Sequence, residues 1–238
     1  MRYKLAAENK AAKYLRYAIG EILLVVIGIL IALQVNNWNN ERIRINKEII
    51  YLKEIESTLE FNLENEIKGA IEYTNYQIKA YESFRQAVMN YPSGISEDSI
   101  DVLLGKWLIY WRLDINSVAF DNLKSVGIDL ISSNKLRREI TQFYGYDLLA
   151  SVQFNKEHID WAYANLYPII TNNLNGKELP VSPENIQFLK TDQRTKNIFD
   201  TNCEFFMKGT IEWLEDLQPK AEILLEHLRT EIEHLENQ

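Results

Sequence analysis

Residues Tyr17 to Trp38 read YAIGEILLVVIGILIALQVNNW, an apolar run carrying one carboxylate, Glu21. As a helix these 22 residues rise about 1.5 Å each and reach roughly 33 Å, the thickness of a hydrocarbon layer of about 30 Å. Tyr14 and Tyr17 stand at one end and Trp38 at the other, where amphipathic rings settle at headgroup level. After Ala32 the chain continues Leu33-Gln34-Val35-Asn36, which lacks the small-residue pattern of a cleavage site. The expected organisation is therefore a short basic cytoplasmic tail (1–16), an uncleaved transmembrane helix (17–38) and an acidic helical extracytoplasmic domain (39–238).

Orientation follows from length as much as from charge. Five basic residues (Arg2, Lys4, Lys10, Lys13, Arg16) precede the span, and Arg42, Arg44, Lys47 and Lys53 follow it closely. The count is nearly balanced, but a short basic tail resists translocation while a long domain crosses largely regardless of charge. The expected location is the bacterial inner membrane, single-pass, with the N-terminus cytoplasmic and the C-terminal domain periplasmic. A cytoplasmic tail of about 16 residues would have no room for a receptor output domain.

On a helical wheel Ala18, Glu21, Val25, Gly28 and Ala32 share one stripe, continued by Asn36 and Asn39. Gly28 and Ala32 form a small-xxx-small pair, which lets helix backbones approach closely in lipid. Two readings of Glu21 follow. It lies close to the headgroups, where it stays hydrated or bonds the Tyr17 hydroxyl one turn away. Alternatively, several copies bring it to a helix–helix interface as a possible ion or proton site.

Past the span, apolar residues recur at helical spacing: Ile45, Ile49, Leu52, Ile55, Leu59, Leu63, Ile67, Ala70, Tyr73, Ile78 and Tyr81. That predicts a long helix over about 41–90, with Asn36 to Asn40 the easiest place to bend and Tyr91-Pro92-Ser93-Gly94 a turn. Short helices are expected over about 96–127, started at Ser96 and Ser117 and ended at Gly127. A helix over about 134–171, a loop at 172–182 and helices over about 183–236 complete the chain, with Pro219 predicting a kink or break. No strand pattern or repeat is present. The fold class is thus all-α: one N-terminal transmembrane helix followed by an elongated antiparallel helical bundle, its two longest helices paired.

Charge narrows the partners. The chain holds 26 basic and 34 acidic residues, and the first 40 positions take five and two of these, leaving the remainder at −11. Such a domain repels phosphate backbones, so no nucleic-acid partner is expected. The lone Cys203 makes no internal disulfide.

The anchor, together with AFDNLKSVG at Ala119–Gly127 and LISSNKLRR at Leu130–Arg138, resembles an uncharacterised family of single-span Bacteroidota membrane proteins. Members pair a YAIGEIxLVVIGILIALQxNNWN anchor with a helical domain bearing an LxxSGxLxLIxNxxLRxxI-like stretch. Val126 stands here where that pattern has serine before its glycine. The resemblance implies a cell-envelope membrane protein and carries over no catalytic residue, cofactor or metal.

Motifs for a serine nucleophile, a zinc helix, a phosphate loop or a dinucleotide are absent from the sequence. His227, Glu231 and His234 share a helix face and offer metal-type side chains, although exposed pairs of this kind are ordinary on acidic helices; His158 beside Glu157 and Asp160 is similar. Trp107, Tyr110, Trp111 and Arg112 form the densest aromatic cluster, readable as a partner-binding patch or as core. The function expected is a membrane-anchored helical binding or scaffolding protein of the cell envelope, not an enzyme. Its partners would be the membrane, a possible envelope protein, and further copies of itself through the transmembrane helix. The alternatives are an oligomeric ion- or proton-conducting subunit using Glu21, whose layout matches stator-type subunits, and an envelope enzyme.

Overall fold

The computed structural model describes the backbone of residues 2–174 and 181–238, with side chains from residue 13 onward except at 173. All regular structure among the described residues is helical. The chain divides into two compact units, Met1–Ile50 and Tyr51–Gln238.

Helix α1 (Arg2–Phe61) supplies all the described residues of the first unit. Its most apolar stretch has a mean hydropathy of 2.6, and none of it is buried. Leu24 is 73% exposed and Leu30 59%. Ala18, Glu21, Val25, Gly28 and Ala32 are likewise exposed, and a Cβ at Gly28 would meet nothing within 4 Å. The helix runs unbroken through Asn36 to Asn40. Asparagine costs about 0.7 kcal/mol or less per helical residue, too little to unwind a helix extended on both sides. Arg44 then bridges Glu41 (2.7 Å) and Glu48 (3.1 Å), one turn to either side.

The second unit opens with the last turns of α1, a π turn (Asn62–Ile67) and α2 (Lys68–Asn90). A π turn adds one residue to the helical repeat. The buried series Leu52, Ile55, Leu59, Asn62 accordingly restarts one residue later as Leu63, Ile67, Ala70, Thr74, Gln77, Tyr81, Phe84, Val88. Tyr73 and Ile78, on the expected apolar stripe, are only half-buried, because the shifted face turns Thr74 and Gln77 inward instead.

After the Tyr91–Gly94 turn come α3 (Glu97–Trp107), α4 (Val118–Val126), a 3-10 turn (Ile128–Leu130) and α5 (Asn134–Gln142). A π turn (Phe143–Asp147) leads into α6 (Leu148–Asn173). Residues 175–180, most of the expected 172–182 loop, lie outside the described residues. Next are α7 (Pro183–Thr191), α8 (Gln193–Thr201), a third π turn (Asn202–Met207) and α9 (Lys208–Glu236).

Helix starts follow their capping residues. Ser96 accepts from the Ser99 N–H and Ser133 from the Leu136 N–H, each at 3.3 Å. Ser182 and Asn185 form a capping box around Pro183, and Asp192 accepts from the Thr195 N–H at 2.7 Å. Ser117 departs from expectation: its hydroxyl donates to Asp121 (3.0 Å), and the Val118 N–H goes to the Asn116 side chain (3.1 Å). The break expected at Pro219 is absent. Pro219 and Glu215 are exposed, so water can satisfy the carbonyl one turn back that proline leaves without a donor.

Within the second unit, helix α9 runs opposite to the last turns of α1 and to α2. Lys53 meets Glu236 (2.5 Å), Arg229 meets Glu56 (2.8 Å) and Glu60 (2.9 Å), and Lys68 meets Glu222 (3.9 Å). These largely exposed pairs contribute about 0–1 kcal/mol each and chiefly mark the register. Cohesion comes from the buried Leu214, Leu217, Leu224, Leu228 and Leu235 of α9. A second apolar cluster centres on Trp107, packed edge-on against Tyr81 (5.0 Å) and Phe199 (5.1 Å).

Candidate functional site

The longest non-helical stretch among the described residues is Leu108–Ser117, a strap between α3 and α4. A strap in an all-helical protein has no sheet to satisfy its backbone. Here side-chain amides replace the missing strand. Gln77 on α2 donates to the carbonyls of Trp107 (3.3 Å) and Ile109. Asn155 on α6 donates to Trp111 O (3.0 Å) and accepts from Leu113 N (3.1 Å). Asn62 in the first π turn donates to Asn116 O (2.8 Å) and accepts from Asn116 N (3.0 Å). Glu66 takes the Asp114 N–H at 3.2 Å. Asn62, Gln77 and Asn155 are all buried, so each amide lost would leave the partners it now satisfies short of a hydrogen bond.

Beside the strap lies an open groove of about 600 Å³ between Leu108–Leu113 and one face of α6. Tyr110, Tyr163 and Tyr167 supply aromatic surface, with Arg112, Lys156 and Asp160 as its charged groups. Tyr163 and Tyr167 stack at 4.7 Å, and Tyr110 lies 6.5 Å from Tyr167. Tyr163 is 61% exposed, a large apolar face open to solvent.

Behind Tyr110 sits a buried polar box. His158 Nε2 and Asn202 Oδ1 are 2.9 Å apart, and the Tyr110 hydroxyl donates to the same oxygen at 3.4 Å. His158 stacks on Phe206 (5.1 Å) and meets Tyr110 edge-on (4.9 Å). Burial pushes the imidazole down to about 4, against a small opposing effect of the Asn202 bond, so His158 is neutral at pH 7. The neutral ring then donates from Nε2 to Asn202 Oδ1. The buried Asn202 Nδ2 has no partner among the described residues.

The aromatic cluster of the sequence is divided between core and groove. Trp107 is fully buried, and Trp111 packs on Tyr73 at 5.7 Å and over Gly69, where a Cβ would lie 3.2 Å from its ring. Tyr110 and Arg112 line the groove. His227, Glu231 and His234 do not converge: His227 pairs with Glu139 on α5 (2.8 Å), while His234 meets Gln238 (2.9 Å). Cys203 is buried, and burial pushes its thiol up to about 12, far from a reactive thiolate.

A smaller cavity of about 290 Å³ lies between α2, α7 and α8, bordered by Arg85, Gln193, Lys196 and Asp200 around Phe84 and Phe199. Asp200 is engaged there by the Tyr81 hydroxyl at 2.6 Å.

The four buried amides Asn62, Gln77, Asn155 and Asn202 were not among the sequence candidates. Their signal is a polar residue on an apolar face: Asn62 follows Leu59, and Asn202 follows Phe199, by one helical turn. Comparisons of the chain with protein-family models, with curated proteins and with solved structures give no match.

Proposed function

We propose that this chain is a single-span membrane protein of the cell envelope whose acidic, elongated antiparallel helical bundle binds a partner outside the inner membrane. In this reading residues 17–38 cross the bilayer with the N-terminus in the cytoplasm. A helix that is apolar on every side and uncovered by protein has its natural solvent in lipid. Self-association through the Gly28 and Ala32 stripe accompanies anchoring.

The observation that carries the binding role is the strap. Three buried amides hold an otherwise irregular backbone in one conformation, and that backbone borders a groove with one exposed tyrosine, Tyr163, two half-buried ones and both signs of charge. Burying amides to hold a loop costs more than a plain helical connection, and rigid aromatic surface beside fixed charges is the composition of binding hot spots. Among the described residues no nucleophile with an adjacent base lines this groove, which favours binding over chemistry.

The experiment is purification of the full chain in nanodiscs from its native envelope, with wild type compared to Tyr163→Ala and Lys156→Glu. A stoichiometric partner retained by wild type and lost from both variants, at unchanged folding, supports the reading. Co-purification indifferent to both changes contradicts it.

A further inference from the structure

The cavity of about 290 Å³ between α2, α7 and α8 shares no lining residue with the strap groove. Its floor is apolar and built from the core. Phe84 and Phe199 lie 6.2 Å apart, and both pack on the fully buried Trp107, at 5.7 and 5.1 Å. Val88 and Leu189, also buried, add aliphatic surface. A floor of interlocked core side chains is preformed, which spares a ligand the cost of ordering it. The polar groups stand three and four residues apart, Tyr81 and Arg85 on α2 and Gln193, Lys196 and Asp200 on α8, so each set shares one helix face. Asp200 is already engaged: the Tyr81 hydroxyl donates to its Oδ1 at 2.6 Å, and Arg85 stands 4.0 Å from the same oxygen. Lys196 is not. Its ammonium donates to the Lys190 carbonyl at 3.1 Å and has further protons to give. Among the described residues no carboxylate lies within 4.0 Å of it, and Asp192, at the start of the same helix, accepts from the Thr195 N–H at 2.7 Å.

We infer that this cavity binds a small organic monocarboxylate, whose compact apolar body packs on Phe84 and Phe199 and whose carboxylate is held by Arg85 and Lys196. A ligand there is independent of the partner proposed above. Charge selects the head group. Arg85 and Lys196 against Asp200 leave the lining with one positive charge inside a net-negative domain, and a single carboxylate balances it. A carboxylate also matches the planar donor fork of Arg85, to which Lys196 adds a point charge. An amine would instead meet Arg85 and Lys196 as like charges, with Asp200 already holding the Tyr81 hydroxyl. Volume selects the body. The cavity of about 290 Å³ is roughly twice the 150 Å³ that takes one benzene ring, which suits a single ring or a short aliphatic chain with its head group. Met89, an exposed part of the lining, is a flexible side chain that adapts to bodies of different outline.

The test is isothermal titration of the full chain in nanodiscs with benzoate, 3-phenylpropionate and hexanoate, each beside its uncharged amide and blanked against empty nanodiscs. At least one carboxylate should bind, and its amide about tenfold more weakly. Arg85→Gln and Lys196→Gln should each weaken that carboxylate about tenfold and affect its amide less. The amide alters the ligand and not the protein, so it reads the head group even if a variant folds poorly. Hydrogen exchange across Gln193–Asp200 should slow in the complex, while that across the strap, Leu108–Ser117, should not. A carboxylate that binds no better than its amide, or is indifferent to both charge variants, would overturn the assignment. So would protection of the strap in place of α8, or the failure of all three carboxylates to bind at millimolar concentration.

Discussion

Asn62 and Asn116, 54 residues apart, exchange two hydrogen bonds: the Asn62 amide donates to the Asn116 carbonyl at 2.8 Å and accepts its N–H at 3.0 Å. A primary amide carries a donor and an acceptor in the geometry of a peptide group, so one side chain substitutes for one residue of a neighbouring strand. Asn155 does the same for Trp111 and Leu113. The π turn at Asn62–Ile67 makes the first pairing available. It adds one residue to the repeat, so that Asn62 and Leu63 are both buried.

This exchange predicts an asymmetric mutational response. Asn62→Ala removes both bonds and should lower the unfolding free energy by about 1–3 kcal/mol. Asn62→Asp keeps the acceptor for the Asn116 N–H but sets a carboxylate against a carbonyl, and should be no more stable than the alanine variant. Denaturant midpoints of the full chain in nanodiscs would measure both. Wild-type midpoints in the two variants would mean that the strap is not held by Asn62.

His158 predicts a pH dependence with a definite sign. Its folded value of about 4 lies below the ordinary 6.5, so above pH 6.5 the ring is neutral in both states and contributes no slope. Between about 6.5 and 4 the unfolded chain takes up a proton that the folded chain refuses. Stability should fall through that window as pH drops, by about 3 kcal/mol from this group, and the effect should level off below it. His158→Gln retains a donor for Asn202 without the titration. The stability difference between wild type and this variant should change across that window, whereas a constant difference would show that His158 titrates normally.

Among the described residues, two glycines with positive φ separate backbone strain from crowding. Gly127 has φ 113°, and a Cβ there would sit 2.6 Å from Asp129 Oδ1; Gly94 has φ 86° with nothing within 4 Å. Gly127→Ala should cost about 1–3 kcal/mol and Gly94→Ala about 1 kcal/mol. Equal thermal shifts for the two would mean that the Asp129 contact relaxes freely.

Within the apolar stretch of α1, Gly28→Leu should weaken self-association if the small stripe is a helix–helix interface. An unchanged oligomer mass in nanodiscs would remove that interface. Glu21→Gln should leave assembly and partner retention unchanged for an anchor. Loss of ion or proton conductance with assembly intact would instead favour the conducting role.

How much of this was legible in the sequence depended on which side chains carried it. Long apolar periodicities and caps such as Ser96, Ser133 and Ser182 announce helices directly, because burial and capping are local in sequence. The π turns were not legible: one inserted residue turns Thr74 and Gln77 inward where the apolar pattern pointed to Tyr73 and Ile78. The site was half visible. Tyr110 and Arg112 stood out as an aromatic and basic cluster and do line the groove, while Trp107 beside them belongs to the core. Asn62, Gln77, Asn155 and Asn202 escaped because a polar residue in a helix reads as solvent-facing until its distant partner is known. Asn155 finds Leu113 across 42 residues, and Asn202 finds His158 across 44.

The most direct test of the anchored-domain account is topology in a Gram-negative host, with tags at both termini and protease added to intact spheroplasts. The account predicts a chain that resists carbonate extraction, loses its C-terminal tag to external protease and keeps its N-terminal tag. A chain released by carbonate, or a C-terminal tag cut only after lysis, would contradict it.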